Sequence, residues 1–253
     1  MSPRTEPRTL PSCRLSLGLA ILAATLLWLP SAQADRRDYV WNYQWQTMLQ
    51  GRFELEWYFD YRMKDFEDSG AATHRHQLEL EYGITDRWDV AAYAVIQDPD
   101  DGTDTDYEVG KIKLRTRYRF GEEGQYWMNP LLYLEYQRAV DGSGADIGEV
   151  KLILDRSFGR FDTVLNFVWE GRLDKGGDDE WKVLGGVGYQ VSEAFHAGIE
   201  AGYTHEGAKD KLAVGPTLAW TLTDRIWMGV GVLFAVESDA RDLEARSIVG
   251  FYF

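Results

Sequence analysis

The amino-acid sequence predicts an all-β fold in which twelve antiparallel strands run up and down and close into a barrel. Three features predict it. Apolar and polar side chains alternate along twelve segments, short turns recur every 32 to 37 residues, and longer acidic connections lie between those turns. Because successive side chains of a strand point to opposite faces of a sheet, each alternating segment has one apolar and one polar face.

The segment 51–64 shows the alternation most clearly. Phe53, Leu55 and Trp57 share one face, with Glu54 and Glu56 on the other. A strand of about eleven residues tilted by about 40° crosses roughly 28 Å, which matches the apolar band of membrane-spanning barrels. The predicted strands are 51–64, 73–85, 88–97, 106–120, 127–139, 148–158, 160–173, 181–191, 194–206, 210–222, 225–236 and 243–253.

The connections between these segments alternate in length. Short turns are predicted at 85–87, 158–160, 191–193 and 223–225, with a somewhat longer one at 121–126. The looser acidic connections are 65–72, 98–105, 141–147, 174–180, 207–209 and 237–242. Short turns at one end and longer loops at the other are typical of barrels inserted from the periplasm, and twelve strands place both chain ends on the short-turn side.

The first 34 residues predict a secretory signal peptide. Arg4, Arg8 and Arg14 form a positive start, residues 15–29 form an apolar core, and a small-residue cleavage site ends at Ala34. A transmembrane anchor is the alternative, but this apolar run is shorter than the ~20 residues that a spanning helix needs. We therefore expect cleavage after Ala34, an aromatic leader at 35–50 and a transmembrane barrel at 51–253.

Cysteine use and charge narrow the function further. Cys13, the only cysteine, precedes the apolar core, so the chain after cleavage would have no disulfide, thiolate metal site or cysteine nucleophile. Cleavage removes Arg4, Arg8, Arg14 and Glu6, which changes the net charge of −14 to −16. This acidic balance argues against nucleic acid as a partner, because phosphate binding needs clustered Lys and Arg.

The last segment, 243–253, carries a resemblance to a known class. Its outer face ends in Phe251 and Phe253, and the hairpin string Y-G-I-T-D-R-W-D-V occupies 82–90. In these features the chain resembles the Gram-negative outer-membrane β-barrels, including uncharacterised and small-channel families, although Gly250 lies closer to the end than the glycine usual in that class. The resemblance implies an outer-membrane location, with Phe251 and Phe253 as closure and assembly signal. It also implies contact with lipid and lipopolysaccharide, and insertion by the barrel assembly machinery.

The apolar face of each strand is expected to meet lipid and the charged face to line the interior. A soluble β-sandwich has the same period of two and is the structural alternative. The interior charges predicted to govern passage form a basic ladder and an acidic wall. The ladder is Lys111, Lys113, Arg115, Arg117 and Arg119, and the wall is Glu54, Glu56, Asp60, Glu79 and Glu81.

These charges can pair within the interior, or leave a transverse field through which ions pass. The predicted function is a passive, porin-like channel for small polar or charged solutes. The alternative is a non-conducting barrel that serves as a sleeve or scaffold for a periplasmic or surface partner. The oligomeric state and the identity of the solute stay open.

The predicted eighth to eleventh strands give their inner face mostly small residues, so this half of the interior has open volume. The residues are Gly186, Gly188, Gly198, Gly202, Ala213, Gly215, Ala219, Gly229 and Gly231. We expect the leader to fold back and fill part of that volume.

No catalytic site, metal or cofactor is predicted. His74 and His76 share a face and could bind Zn or Cu, but a position on the outer rim is favoured. His196 and Glu200 both face the interior, yet no serine stands nearby to complete a nucleophilic set. The acidic loop 98–106 lacks the ligand order of a helix-loop-helix calcium site, and loose binding of divalent ions is favoured there.

Overall fold

A computed structural model describes residues 36–67, 72–97, 108–174, 176–237 and 241–253. The predicted signal peptide and the acidic loop 98–106 lie outside these ranges. Within them, no helix is long and apolar enough to cross a membrane.

The described residues form twelve strands in one closed antiparallel barrel, in which each strand pairs with its neighbours in the chain and β1 pairs with β12. The prediction of an all-β up-and-down barrel is thus confirmed, and every strand boundary lies within two residues of its predicted position. The strands are β1 Phe53–Met63, β2 Ala72–Thr85, β3 Trp88–Gln97, β4 Glu108–Arg119, β5 Asn129–Ala139, β6 Ile147–Phe158, β7 Phe161–Arg172, β8 Glu180–Ser192, β9 Phe195–Glu206, β10 Lys209–Thr223, β11 Ile226–Ala235 and β12 Leu243–Tyr252.

The chain end closes the barrel. The amide of Phe53 donates to the carbonyl of Phe253 at 3.2 Å, and the amide of Phe253 donates back to Phe53 at 3.0 Å. The two phenyl rings stack on the outer surface with centroids 5.7 Å apart. In the ladder that follows, Phe251 lies opposite Leu55. Closure by pairing of the last strand with the first therefore removes both sheet edges.

The two faces of the sheet differ in the direction predicted. Outward apolar side chains are exposed, with Leu114 at 57% and Ile199 at 60%. Inward polar side chains are buried, with Glu79 and Asn166 at 0%. The soluble sandwich is wrong for this chain, because the strands form a single closed sheet whose charged residues point inward.

A glycine near the end of β12 makes room for a buried hydrogen bond. The indole Nε1 of Trp227 donates to Glu54 Oε1 at 2.5 Å, and both residues are nearly inaccessible to solvent. A Cβ atom at Gly250 would overlap both the indole nitrogen and the carboxylate. The position of Gly250, unusual for outer-membrane barrels, thus has a local structural cause.

We expect Gly250→Ala to lower the free energy of unfolding by about 1–3 kcal/mol, because the Trp227–Glu54 hydrogen bond is displaced and its groups stay buried. Gly229→Ala is the matched control. A Cβ there would make only ordinary contacts, the nearest with Val40 Cγ2 at 3.5 Å. Urea unfolding in lipid vesicles measures both variants, and equal midpoints for the two would contradict the prediction.

Candidate functional site

The predicted basic ladder on β4 lies beside the acidic wall rather than across the lumen from it. Arg115, Ala91 and Glu81 occupy successive positions along the hydrogen-bonding direction of β4, β3 and β2. Because the side chain of Ala91 is short, the guanidinium of Arg115 reaches across β3. Its Nη2 lies 2.6 Å from Glu81 Oε2 and 3.1 Å from Glu79 Oε1.

The second arginine of this wall is held in the same way. Arg117 Nη2 lies 2.7 Å from Asp89 Oδ2 and also contacts Glu81. The five side chains of this group are at most 5% exposed, namely Arg115, Arg117, Glu79, Glu81 and Asp89. The charges therefore neutralise one another along one wall of the barrel, because a buried charge needs a partner at hydrogen-bonding distance.

The remaining members of the predicted set have different environments. Lys111 is exposed, and Lys113 Nζ lies 3.1 Å from Glu135 Oε1. Arg119 donates to the carbonyl of Asp86 at 2.7 Å. Glu56 accepts from the phenol of Tyr58. The ladder and the wall thus extend over the whole depth of the lumen instead of forming one constriction.

A cluster of arginines that sequence analysis did not select surrounds Asp60 in the loop-side half of the lumen. Asp60 lies 2.6 Å from Arg246 Nε, 2.5 Å from Arg75 Nη2 and 3.5 Å from Arg62 Nη2. These arginine side chains are 15–24% exposed, whereas the carboxylate is 3% exposed. Three guanidiniums share this buried carboxylate, and Arg62 also lies 3.9 Å from Glu244. Three positive charges against two negative ones leave this side of the lumen with a net positive charge.

The facing strands β4 to β8 carry lysines in contact with glutamates, and Lys182 is shared by Glu170 and Glu180. Besides Lys113 with Glu135, Lys151 Nζ lies 2.7 Å from Glu149 and Lys182 Nζ lies 3.2 Å from Glu170. We call the loop-side half of the lumen the loop-side vestibule. It is lined by these lysine and glutamate residues and by the Asp60 cluster. The alternation of apolar and polar residues assigns the vestibule residues to the inner face of the barrel. It does not reveal which of their charged groups keep contact with water.

The other end of the lumen, on the side of the short turns, is occupied by residues 36–50, the leader. Its side chains pack into two apolar clusters with inward residues of the barrel. Val40 and Met48 pack with Tyr58, Trp227, Ile248 and Tyr252. Trp45 packs with Leu131, Tyr133 and Ile153, and Tyr43 packs against that group. The leader therefore fills the turn-side half of the barrel across its width.

Glu200 of β9 holds the first part of the leader. Its carboxylate accepts hydrogen bonds from the amides of Val40 at 2.7 Å, Trp41 at 2.9 Å and Asn42 at 2.8 Å. The side-chain amide of Asn42 donates a fourth bond at 2.8 Å. Since Glu200 is 1% exposed, it is a buried anion compensated by these donors.

Further side chains of the barrel wall accept the next amides of the leader. Asn166 bonds Tyr43 in both directions, with its Oδ1 2.7 Å from the amide and its Nδ2 2.9 Å from the carbonyl. Carboxylates accept the amides of Trp45, Met48 and Gln50. They belong to Asp155 at 3.1 Å, Asp89 at 3.0 Å and Asp86 at 3.0 Å.

Tyr39 anchors the start of the leader above the glycines of β8. Its phenol donates to Asp162, whose other oxygen lies 2.8 Å from His196 Nε2. Burial and the charge of Asp162 raise the pKa of Tyr39 far above its usual value, so the phenol keeps its proton. A Cβ at Gly186 would overlap the ring of Tyr39, and one at Gly188 would overlap its phenol oxygen and the ring of His196. This part of the inner face therefore has room for the leader because it lacks side chains.

His196 and Glu200 therefore both contact or support the leader, which accounts for their inward position without a catalytic partnership. His74 and His76 lie on the outer face, where they stack on the rings of Phe59 and Trp57 with centroids 5.9 and 5.8 Å apart. Among the described residues, no group of three or more potential ligands is placed to hold a metal ion.

The paired wall leads to a stability prediction. We expect Arg115→Met to lower the free energy of unfolding by about 3–5 kcal/mol, because Glu79 and Glu81 lose a partner that is 1% exposed. Lys111→Met on the same strand removes the same charge from an exposed position and should change stability by less than about 0.5 kcal/mol. Urea unfolding compares the two variants, and equal effects would show that the wall pairs do not contribute.

No protein-family description matches the sequence, and no curated protein sequence matches it either. Solved structures with the same fold are found at low sequence identity. The COG4313 outer membrane channel from Pseudomonas putida F1 aligns with a TM-score of 0.61 and 12% identity, over 85% of this chain and 100% of that one.

Two porins align similarly. The KdgM porin in complex with disordered oligogalacturonate has a TM-score of 0.58 and 9% identity, over 79% of this chain and 99% of that one. The NanC porin has a TM-score of 0.57 and 12% identity, over 78% and 98% of the two chains. The chain therefore shares its barrel fold with these outer-membrane channels and porins.

Proposed function

We propose that this protein is a passive, porin-like channel of the bacterial outer membrane for small polar or charged solutes. The observation that supports the proposal most directly is the closed barrel with an apolar outer face and ionised side chains along its whole lumen. A water-filled or water-accessible lumen is the environment in which such side chains are stable inside a membrane. The fold shared with outer-membrane channels supports the same function and location.

The loop-side vestibule is the proposed site where solutes enter. Its arginine and lysine side chains are 11–24% exposed, whereas Glu200 and Asp89 of the turn-side half are at most 1% exposed. The Asp60 cluster carries three guanidiniums, with spare N–H donors that match carboxylate or phosphate groups. We therefore propose that this end attracts anions, and that the Asp60 cluster, more than the ladder from Lys111 to Arg119, sets the charge preference there.

The outer surface and the closing strand suggest the partners. Phe251 and Phe253 stack on the outer face with centroids 6.0 Å apart, next to the β1–β12 seam. This position suits a recognition signal for the barrel assembly machinery, and the exposed apolar strands suit contact with lipid and lipopolysaccharide. No catalytic role is proposed, since His196 and Glu200 already serve the leader.

A non-conducting sleeve or scaffold is the second candidate, and one observation favours it. The turn-side half is packed to the point where Leu131, Ile153 and Ile248 are 0% exposed. A barrel that stays filled in this way would present its rim and loops to a partner without passing solutes.

Conductance in planar lipid bilayers tests the proposal. We expect discrete current steps from the purified protein, and we expect Arg75→Gln to lower the preference for chloride over potassium because the vestibule loses a positive charge. Arg138→Gln is the control, since this outward side chain is 55% exposed and outside the lumen. A bilayer that stays silent with the full chain and with a chain lacking 36–48 would favour the sleeve instead.

A further inference from the structure

The leader covers a set of carboxylates that have few other partners. Six carboxylates of the barrel interact with it: five accept hydrogen bonds from it, and Glu56 forms an ion pair with it. The five are Asp86, Asp89, Asp155, Asp162 and Glu200. Asp89 also pairs with Arg117. Among the described residues, the other five have no lysine or arginine partner except Arg37 of the leader itself, which lies 3.9 Å from Glu56.

These carboxylates are distributed around the turn-side mouth. Asp86 lies beside β2, Asp155 on β6, Asp162 on β7 and Glu200 on β9. The leader bonds to them in chain order as it crosses, with Tyr39 at Asp162, Val40 at Glu200, Trp45 at Asp155 and Gln50 at Asp86. It therefore occupies the cross-section through which any solute would have to leave.

Most of these contacts use backbone amides of the leader, which are neutral. The amides satisfy the carboxylates as hydrogen-bond acceptors, but within the leader only Arg37 places a full positive charge beside one of them. Without the leader, Glu56, Asp155, Asp162 and Glu200 would face water in the lumen, whereas Asp86 is already exposed. Basic side chains that now lie on aromatic rings of the leader would be uncovered with them, namely Arg117 and Lys151 on Tyr43 and Arg119 on Trp45. A ring of Asp and Glu in a pore favours cations.

We propose that the leader is a tethered plug that closes the turn-side mouth and masks an acidic ring, so that its release opens a cation-preferring outlet. The proposal rests on the proposed channel function and adds its gate and its outlet selectivity. Glu200 is the positioning residue that holds the plug, because four N–H donors of the leader converge on its carboxylate. The two ends of the lumen then differ in sign, with a basic vestibule and an acidic outlet.

A reversible lock tests the plug in the full chain. Val40 Cγ2 lies 3.5 Å from the position of a Cβ at Gly229, so Val40→Cys with Gly229→Cys brings two sulfur atoms within reach of a disulfide. Cys13, the only natural cysteine, lies in the predicted signal peptide, so it adds no competing thiol after the expected cleavage. We expect low conductance when the pair is oxidised and a severalfold increase after reduction, with no redox effect in either single-cysteine variant.

Deletion of 36–48 tests the masked charge. We expect this variant to conduct severalfold more than the full chain, and its reversal potential in a KCl gradient to shift toward potassium. Glu200→Gln in the full chain should lengthen the open periods, because an amide accepts through one oxygen and its NH₂ group faces the donors of the leader. Glu206→Gln, at the exposed loop end of the same strand and paired with Lys211, is the matched control and should leave the open periods unchanged.

The outcomes separate the two proposals. Heat-dependent gel mobility first establishes that each variant forms a closed barrel. If the deletion variant conducts like the full chain, or the oxidised lock conducts like the reduced one, the plug is wrong while the channel stands. If the deletion variant conducts more than the full chain but its reversal potential does not shift toward potassium, the proposal of an acidic outlet is wrong. If every folded variant is silent, the channel function fails, and the plug with it.

Discussion

The interaction on which the interior depends is the hydrogen bond from a backbone amide of the leader to a carboxylate of the wall. Residues 40–48 lie outside any strand, so their buried amides need acceptors from elsewhere. The wall supplies them through Glu200, Asn166, Asp155 and Asp89. The same bonds remove the need for lysine or arginine beside those carboxylates. The plugging of the turn-side mouth, the dense packing of that half of the lumen and the covering of the acidic ring all follow from these hydrogen bonds.

Buried charges are compensated in different ways in the two halves of the lumen. In the loop-side vestibule, guanidinium and ammonium groups pair with carboxylates and keep contact with water, as Arg75 does with Asp60. In the turn-side half, neutral donors compensate most of the carboxylates, and Glu200, Asn166 and Asp89 are almost inaccessible to solvent. The first solution tolerates passing ions, whereas the second depends on a polypeptide segment staying in place.

The fold was predictable because period-two alternation is a local property of the chain. It placed the strand ends to within two residues and assigned Glu54 and Leu55 to opposite faces. The lateral pairing of Arg115 was not predictable, because it depends on Ala91 of an intervening strand. The role of Glu200 was not predictable either, since its partners lie 158–160 residues away and are backbone groups that no side-chain pattern records.

Both ends of the leader lie at the turn-side mouth of the barrel. Arg36 donates to the carbonyl of Glu193 in the turn before β9, and Gln50 lies against the turn before β3. Hence the segment never has to thread a finished ring of strands. It can settle as the last step of folding, after the sheet has joined, and a protease on that side could reach it whenever it swings out.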